Sequence, residues 1–340
     1  MEVPGRSCPL AYQYQPEALA QPAQLEADTL YVVGGLYGNP AALRALLERA
    51  DREPSSPATI VFNGDFHWLD VDPDDFQTIS VTVLAHHAIK GNVEAELPSD
   101  EGAGCGCAYP DYISDDDVDR SNQIMTQLRT TAARFPELVG RLGELPRYLT
   151  ASVAGQRIGI LHGDPESLAG WRLALEAMEP GDLLVRRQVG WHGQPTTPTD
   201  LLDWFHRAEV SVFACTHTGL PYAQDLTDHQ GRRRLVINNG SAGLPNFTGT
   251  SFGVITRLST NPQPPADGLY GISIDGLRCD AVPLEFDLAW WLAHFTEQWP
   301  QGSPAYDRYV ARITSGTPLR LRQAIRGAVT QTDHHMESGG

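Results

Sequence analysis

Leu30-Tyr31-Val32-Val33-Gly34-Gly35-Leu36-Tyr37-Gly38-Asn39 decides how this chain reads. Four apolar residues, two of them β-branched, form a buried strand that breaks at a pair of glycines. A helix opens at once. Asn39 suits its N-cap, Pro40 fits the first turn where no backbone N–H is needed, and Leu43, Leu46 and Leu47 fall on one face. Downstream, Thr59-Ile60-Val61-Phe62 ends at Asn63-Gly64-Asp65, and Asp72-Pro73 opens a second helix with Asp74 and Asp75 in its first turn. A short strand then leads to Gly91-Asn92. Strand–loop–helix units in series make an α/β protein with central sheet flanked by helices. In such sheets a ligand sits beyond the carboxyl ends of the strands, where Asp65 and Asn92 lie.

Further along, 95–113 is an acidic, Gly-rich insertion holding Cys105-Gly106-Cys107, expected as a solvated loop. A helix is predicted from 115 to 134, with Ser114 and Asp117 as its capping box. Strands are predicted near 147–154 and 157–161, the second ending in His162-Gly163-Asp164. Val210–Ala214 ends at Cys215-Thr216-His217, and Leu235-Val236-Ile237 at Asn238-Asn239-Gly240-Ser241. Arg232-Arg233-Arg234 follows Gly231 and reads as a hairpin turn, and the aromatics Trp290, Trp291, Trp299, Tyr306 and Tyr309 as core or interface. A Pro-rich stretch past 262 marks a boundary. The expected organisation is an N-terminal extension over 1–27, a main domain over 28–260 with a helical insertion at 95–146, and a small α+β extension over 261–340 that ends in a His334-His335 tail.

The 340 residues are 41% hydrophobic, enough for one large core. A net charge of −17 repels nucleic-acid phosphates, so DNA or RNA is not expected as a dedicated partner. It leaves room for a small phosphorylated substrate in a locally positive pocket, where a bound cation supplies the charge. No apolar run reaches membrane-spanning length, and Met1-Glu2-Val3-Pro4 lacks the basic-then-apolar order of a signal peptide. Five cysteines in no disulfide spacing imply reduced thiols, and the expected location is the cytoplasm.

Successive strand ends therefore deliver Asp, Asn and His, the oxygen and nitrogen donors that manganese, iron or zinc accept. The ordered set Gly35-Leu36-Tyr37-Gly38-Asn39, Gly64-Asp65, Gly91-Asn92, His162-Gly163, Ala214-Cys215-Thr216-His217 and Asn238-Asn239-Gly240-Ser241 resembles the calcineurin-like metallophosphoesterases over residues 28–258. That family carries Asp-x-His-Gly-Asn, Gly-Asp, Gly-Asn, His and Gly-His-Thr-His in this order. Its small bacterial phosphodiesterase branch adds Asn-Pro-Gly-Ser. The resemblance implies a two-layer β-sandwich flanked by helices, one or two divalent ions, and hydrolysis of a phosphomonoester or phosphodiester by metal-activated water.

The resemblance implies Asp65, Asn92 and His162 as catalytic residues, and Asp65, Asn92, His162, His217 and Cys215 as metal ligands. Two departures fall on the first metal: Gly35 stands in place of its Asp and Tyr37 in place of its His. Cys215 replaces a His of the second and is either a thiolate ligand or an inert thiol. Tyr37, Asn39, Asn63 and His67 are expected to line the pocket, with His67 open to a ligand role. Because the first site is altered, a non-catalytic descendant that binds a phosphorylated ligand or partner is the competing expectation.

Overall fold

The structure, a computed structural model, describes residues 3–54, 56–99 and 102–332. The His334-His335 tail lies outside the described residues. Two seven-stranded sheets stack face to face. One runs, in spatial order, Leu25–Glu26, Tyr148–Val153, Gln156–Leu161, Val212–Cys215, Arg233–Asn238, Tyr222–Thr227 and Ile325–Arg326. The other runs Thr330–Gln331, Tyr270–Ile274, Leu277–Leu284, Gly253–Ser259, Thr29–Val33, Thr59–Asn63 and His87–Ile89. The α/β sandwich expected from sequence is the observed fold.

Alternation along the strands builds the layers. Leu30, Val32 and Val61 point between the sheets, where they meet Ile158, Ile160, Val212 and Ile237. Tyr31, Val33, Ile60 and Phe62 point the other way, under the helices. Successive strand side chains alternate faces, so each strand serves two cores and must be apolar throughout. The helices begin where their caps predict. Asn39 Oδ1 accepts from Ala42 N at 3.0 Å to open Pro40–Asp51. Asp72 accepts from Asp74 N and Asp75 N to open Pro73–Leu84, and Ser114 caps Asp115–Ala132. Each such cap is worth about 1 kcal/mol.

Two expected boundaries dissolve. Residues before 28 are no loose extension: Tyr12, Tyr14 and Leu19 are buried, and Leu25–Glu26 adds a parallel strand beside Ala151 and Ser152. Nor does 261 divide two folding units, since Leu277–Leu284 pairs with Gly253–Ser259 along seven residue pairs in the sheet that holds Thr29–Val33. Pairing across the supposed boundary makes one hydrogen-bonded body. The Cys105–Cys107 loop is also not solvated, because both thiols are buried. Of the arginine run expected as a hairpin turn, Arg232 alone lies in the connection between Tyr222–Thr227 and Arg233–Asn238, paired to Asp228 at 2.9 Å, while Arg233 and Arg234 begin the strand.

Three strands of each sheet run parallel: Thr29–Val33, Thr59–Asn63 and His87–Ile89 in one, Gln156–Leu161, Val212–Cys215 and Arg233–Asn238 in the other. Their carboxyl ends gather at one edge of the sandwich, where a bridge between Gly35 and Ser241 ties the sheets together. Among the described residues no helix is long and apolar enough to cross a membrane.

Candidate metal centre

Asp65 sits in the loop after Thr59–Asn63 with a left-handed backbone, φ 56°. The loop is held by Glu94, whose carboxylate accepts from Asp65 N at 2.8 Å, Phe66 N at 2.9 Å and Gly91 N at 2.9 Å. One buried carboxylate thus joins the Gly64-Asp65 and Gly91-Asn92 loops. The join needs glycine: a Cβ on Gly91 would lie 2.3 Å from Asp65 Oδ1 and 2.7 Å from Asp65 N.

His162, at the end of Gln156–Leu161, is fully buried. Its Nδ1 lies 2.8 Å from the Asn63 carbonyl. A carbonyl only accepts, so Nδ1 carries the hydrogen and Nε2 turns a lone pair inward. His217 Nε2 lies 3.1 Å from the Cys107 carbonyl, which by the same reasoning directs the Nδ1 lone pair inward. Asn92 Nδ2 donates to the Cys105 carbonyl at 2.9 Å, which aims Oδ1 at the same point. Around His162 Nε2 stand Asp65 Oδ2 at 3.3 Å, Asn92 Oδ1 at 3.2 Å and His217 Nδ1 at 3.2 Å. The Asp65, His162 and His217 donor atoms all lie within 4.8 Å of one another.

A carboxylate oxygen, an amide oxygen and two imidazole nitrogens meet at this point, a set that suits a cation. Inside the protein that cation is a proton or a metal ion. Burial works against charge on Asp65, but His162 and then His217 outweigh it and hold the carboxyl below its ordinary range. Burial likewise opposes a proton on His162, and the Asp65 carboxylate overcomes it, raising the imidazole. His217 is pushed down to about 3 by burial and then by His162, so it stays neutral, as a ligand must. The residues therefore fit a metal ion: two nitrogens and two oxygens, with second partners fixed by backbone.

Sequence reasoning placed Asp65, Asn92, His162 and His217 at strand ends, and the structure brings all four together. Cys215 is elsewhere. Its side chain packs in the core between the sheets, and burial raises the thiol far above its ordinary range. His217 takes the place reserved for it, because Thr216 N and His217 N both donate to the His162 carbonyl, at 3.0 and 2.9 Å, and fold the chain over that ring. His67 is neither ligand nor pocket wall. It is fully buried, stacked on Phe76 at 4.3 Å, with Nδ1 2.8 Å from Asp70 and Nε2 3.0 Å from Ser80. Asn39 is likewise buried by its capping role, its Nδ2 donating to the Gly243 carbonyl at 2.9 Å. Asn63 also faces inward, and its contribution to the centre is the backbone carbonyl that orients His162.

Tyr37 does line the pocket, and it accounts for Gly35. A Cβ on Gly35 would lie 2.5 Å from Tyr37 Cε2 and 2.8 Å from Cδ2. The ring fills the space that a side chain at 35 would need.

The centre opens into a cavity of about 300 Å³, with Tyr37, Asp65, Asn92 and His217 on its floor and Cys107, Tyr109 and Trp171 on its walls. Its far side is the helix Pro304–Ser315, which supplies Asp307, Arg308, Tyr309 and Arg312. Tyr309, expected as core or interface, is buried in the core under the helices and also lines the cavity. The arginines escaped sequence reasoning, although their four-residue spacing puts both on one helical face. Trp171 Nε1 donates to the Cys107 carbonyl at 2.9 Å and presents its ring to His217 at 5.3 Å.

No protein-family model matches this chain, and no curated protein matches its sequence. Solved structures do. A metallophosphoesterase from Sphaerobacter thermophilus is similar over 86% of this chain and 100% of its own, at 16% identity and a TM-score of 0.50. A hypothetical protein from Pyrococcus horikoshii is similar over 87% of this chain and 100% of its own, at 15% identity and a TM-score of 0.51. With the strand order, these similarities show that this chain has the fold of the Sphaerobacter thermophilus metallophosphoesterase.

Proposed function

We propose that this chain is a metal-dependent hydrolase of a small phosphomonoester or phosphodiester, using one divalent ion held by Asp65, Asn92, His162 and His217. The observation that carries the reading is the convergence of an Asp oxygen, an Asn oxygen and two His nitrogens on one point in the cavity lining. Two oxygens and two nitrogens suit manganese, iron or zinc. When bound, such an ion acidifies water and takes up charge on the phosphoryl group. The chain's own residues do the positioning: Asn63 and Cys107 carbonyls fix both imidazoles, and Glu94 fixes the Asp65 backbone. The aromatic walls exclude bulk water from the substrate's organic part.

A second reading, a binding protein without turnover, is favoured by one observation: Tyr37 occupies the space of a side chain at Gly35. One experiment separates the two. The purified chain is analysed for metal content, then assayed with a chromogenic phosphodiester and a chromogenic phosphomonoester in manganese. The hydrolase reading expects one ion per chain and turnover that Asp65→Ala abolishes, with metal affinity lowered by more than about a hundredfold. Bound metal without turnover above Asp65→Ala would favour the binding reading.

A further inference from the structure

Among the described residues, Arg312 is a cavity cation that no carboxylate meets. Its Nε donates to the Pro245 carbonyl at 3.1 Å, and its Nη2 to the Gly219 carbonyl and Ser241 Oγ at 2.9 Å each. All of these acceptors are neutral. Among the described residues no carboxylate pairs with it, and its charged neighbour is Arg308, of like sign. Nη1 makes no hydrogen bond among the described residues. The guanidinium lies 6.0 Å from the centroid of the Tyr37 ring, on a cavity wall shared with Asp65, Asn92 and His217. Arg308 is different: Asp117 pairs with it, and the Tyr109 and Tyr309 rings flank it at 5.9 and 5.8 Å.

Removing a guanidinium from bulk water is costly unless an anion meets it. Here the protein fixes Arg312 with neutral groups and, among the described residues, leaves Nη1 of this cavity-lining side chain without a hydrogen bond. We infer that Arg312 is the anion-binding residue of this cavity, taking one phosphoryl oxygen of the substrate on Nη1. The inference rests on reading the cavity as a phosphoester site and goes beyond it in naming a specificity residue. It supplies positive charge in the half of the site where Gly35 and Tyr37 stand. It also limits the substrate. With Arg308 neutralised by Asp117 and with Asp307 on the wall, the cavity offers, among the described residues, one cation without a carboxylate partner besides the metal centre. That suits a single phosphoryl group whose organic remainder lies against Trp68, Tyr109 and Trp171, and it disfavours polyphosphates.

The test is titration calorimetry of inorganic phosphate into the full chain as purified and manganese-loaded, in wild type, Arg312→Lys and Arg312→Gln. Wild type is expected to bind, Arg312→Gln to bind roughly tenfold or more weakly, and Arg312→Lys at least threefold more weakly, because a charge-assisted bond is lost or misplaced. Manganese stoichiometry reads the Asp65 centre and is expected to match wild type in both variants. If Arg312→Gln loses its metal and its fold, Arg312→Lys decides. Unchanged phosphate affinity in the variant that retains metal, or no phosphate binding by wild type, overturns the inference. Absence of turnover alone sinks the hydrolase and leaves the anion site standing. Turnover without Arg312-dependent phosphate binding sinks the anion site and leaves the hydrolase.

Discussion

The two halves of the site are built on different principles. On the side of Asn92 and His162, four side chains from four strand ends converge, and each is aimed by a backbone carbonyl, a backbone N–H or a neighbouring loop. On the side of Gly35 and Tyr37, a glycine leaves room for an aromatic ring, and the charge beside that ring is an arginine fixed by neutral acceptors. The first half suits a cation. The second carries its own cation and awaits an anion. There is no hole beside Gly35, because the Tyr37 ring fills it. One side of the site is thus oriented by hydrogen bonds to the backbone and the other by ring packing.

Substitutions at four positions test that contrast. The largest effect is expected from Glu94→Gln. Glu94 touches no ligand side chain, yet its carboxylate accepts the three N–H groups that set the Asp65 and Asn92 loops. An amide keeps one oxygen and turns a donor toward a donor. Metal affinity is expected to fall about 10- to 100-fold, measured by competition with a chromophoric chelator. Unchanged affinity would mean that the loops hold their shape without it.

Next comes Gly35→Asp. The new Cβ meets the Tyr37 ring at 2.5 Å, so the single change is expected to cost about 1–3 kcal/mol in urea unfolding. Pairing it with Tyr37→His removes the ring, recovers that loss and raises metal stoichiometry from one ion to two. A double variant that still binds one ion would show that the second half lacks more than these two residues.

The smallest effect is expected from Cys215→Ala. A thiol in the inter-sheet core contributes packing, so about 1 kcal/mol of stability is lost. Metal stoichiometry and affinity stay at wild-type values, whereas a ligand thiol would take affinity with it.

Much of the centre was legible because strand ends are punctuated locally. Gly64 before Asp65, Gly91 before Asn92 and Gly163 after His162 mark where each strand stops and where a polar side chain can leave the sheet. The helix starts were legible for the same reason, since Asn39, Asp72 and Ser114 satisfy free N–H groups within three residues. What misled was direction. Cys215 and His217 are two residues apart, and only the turn of the chain over the His162 carbonyl sends one into the core and the other into the site. His67 follows Asp65 closely, but its ring turns into the helix core to stack on Phe76.

The sequence by itself determined the order of strands and helices, the four donors, and the gap at Gly35 and Tyr37, because caps, glycine breaks and apolar periodicity act over a few residues. Packing decided that Cys215 leaves the set for the core, that Tyr37 closes the space beside Gly35, and that the helix Pro304–Ser315 brings Arg312 to the cavity. Those outcomes depend on where distant segments pack, and packing between segments far apart in sequence leaves no periodic trace within either one.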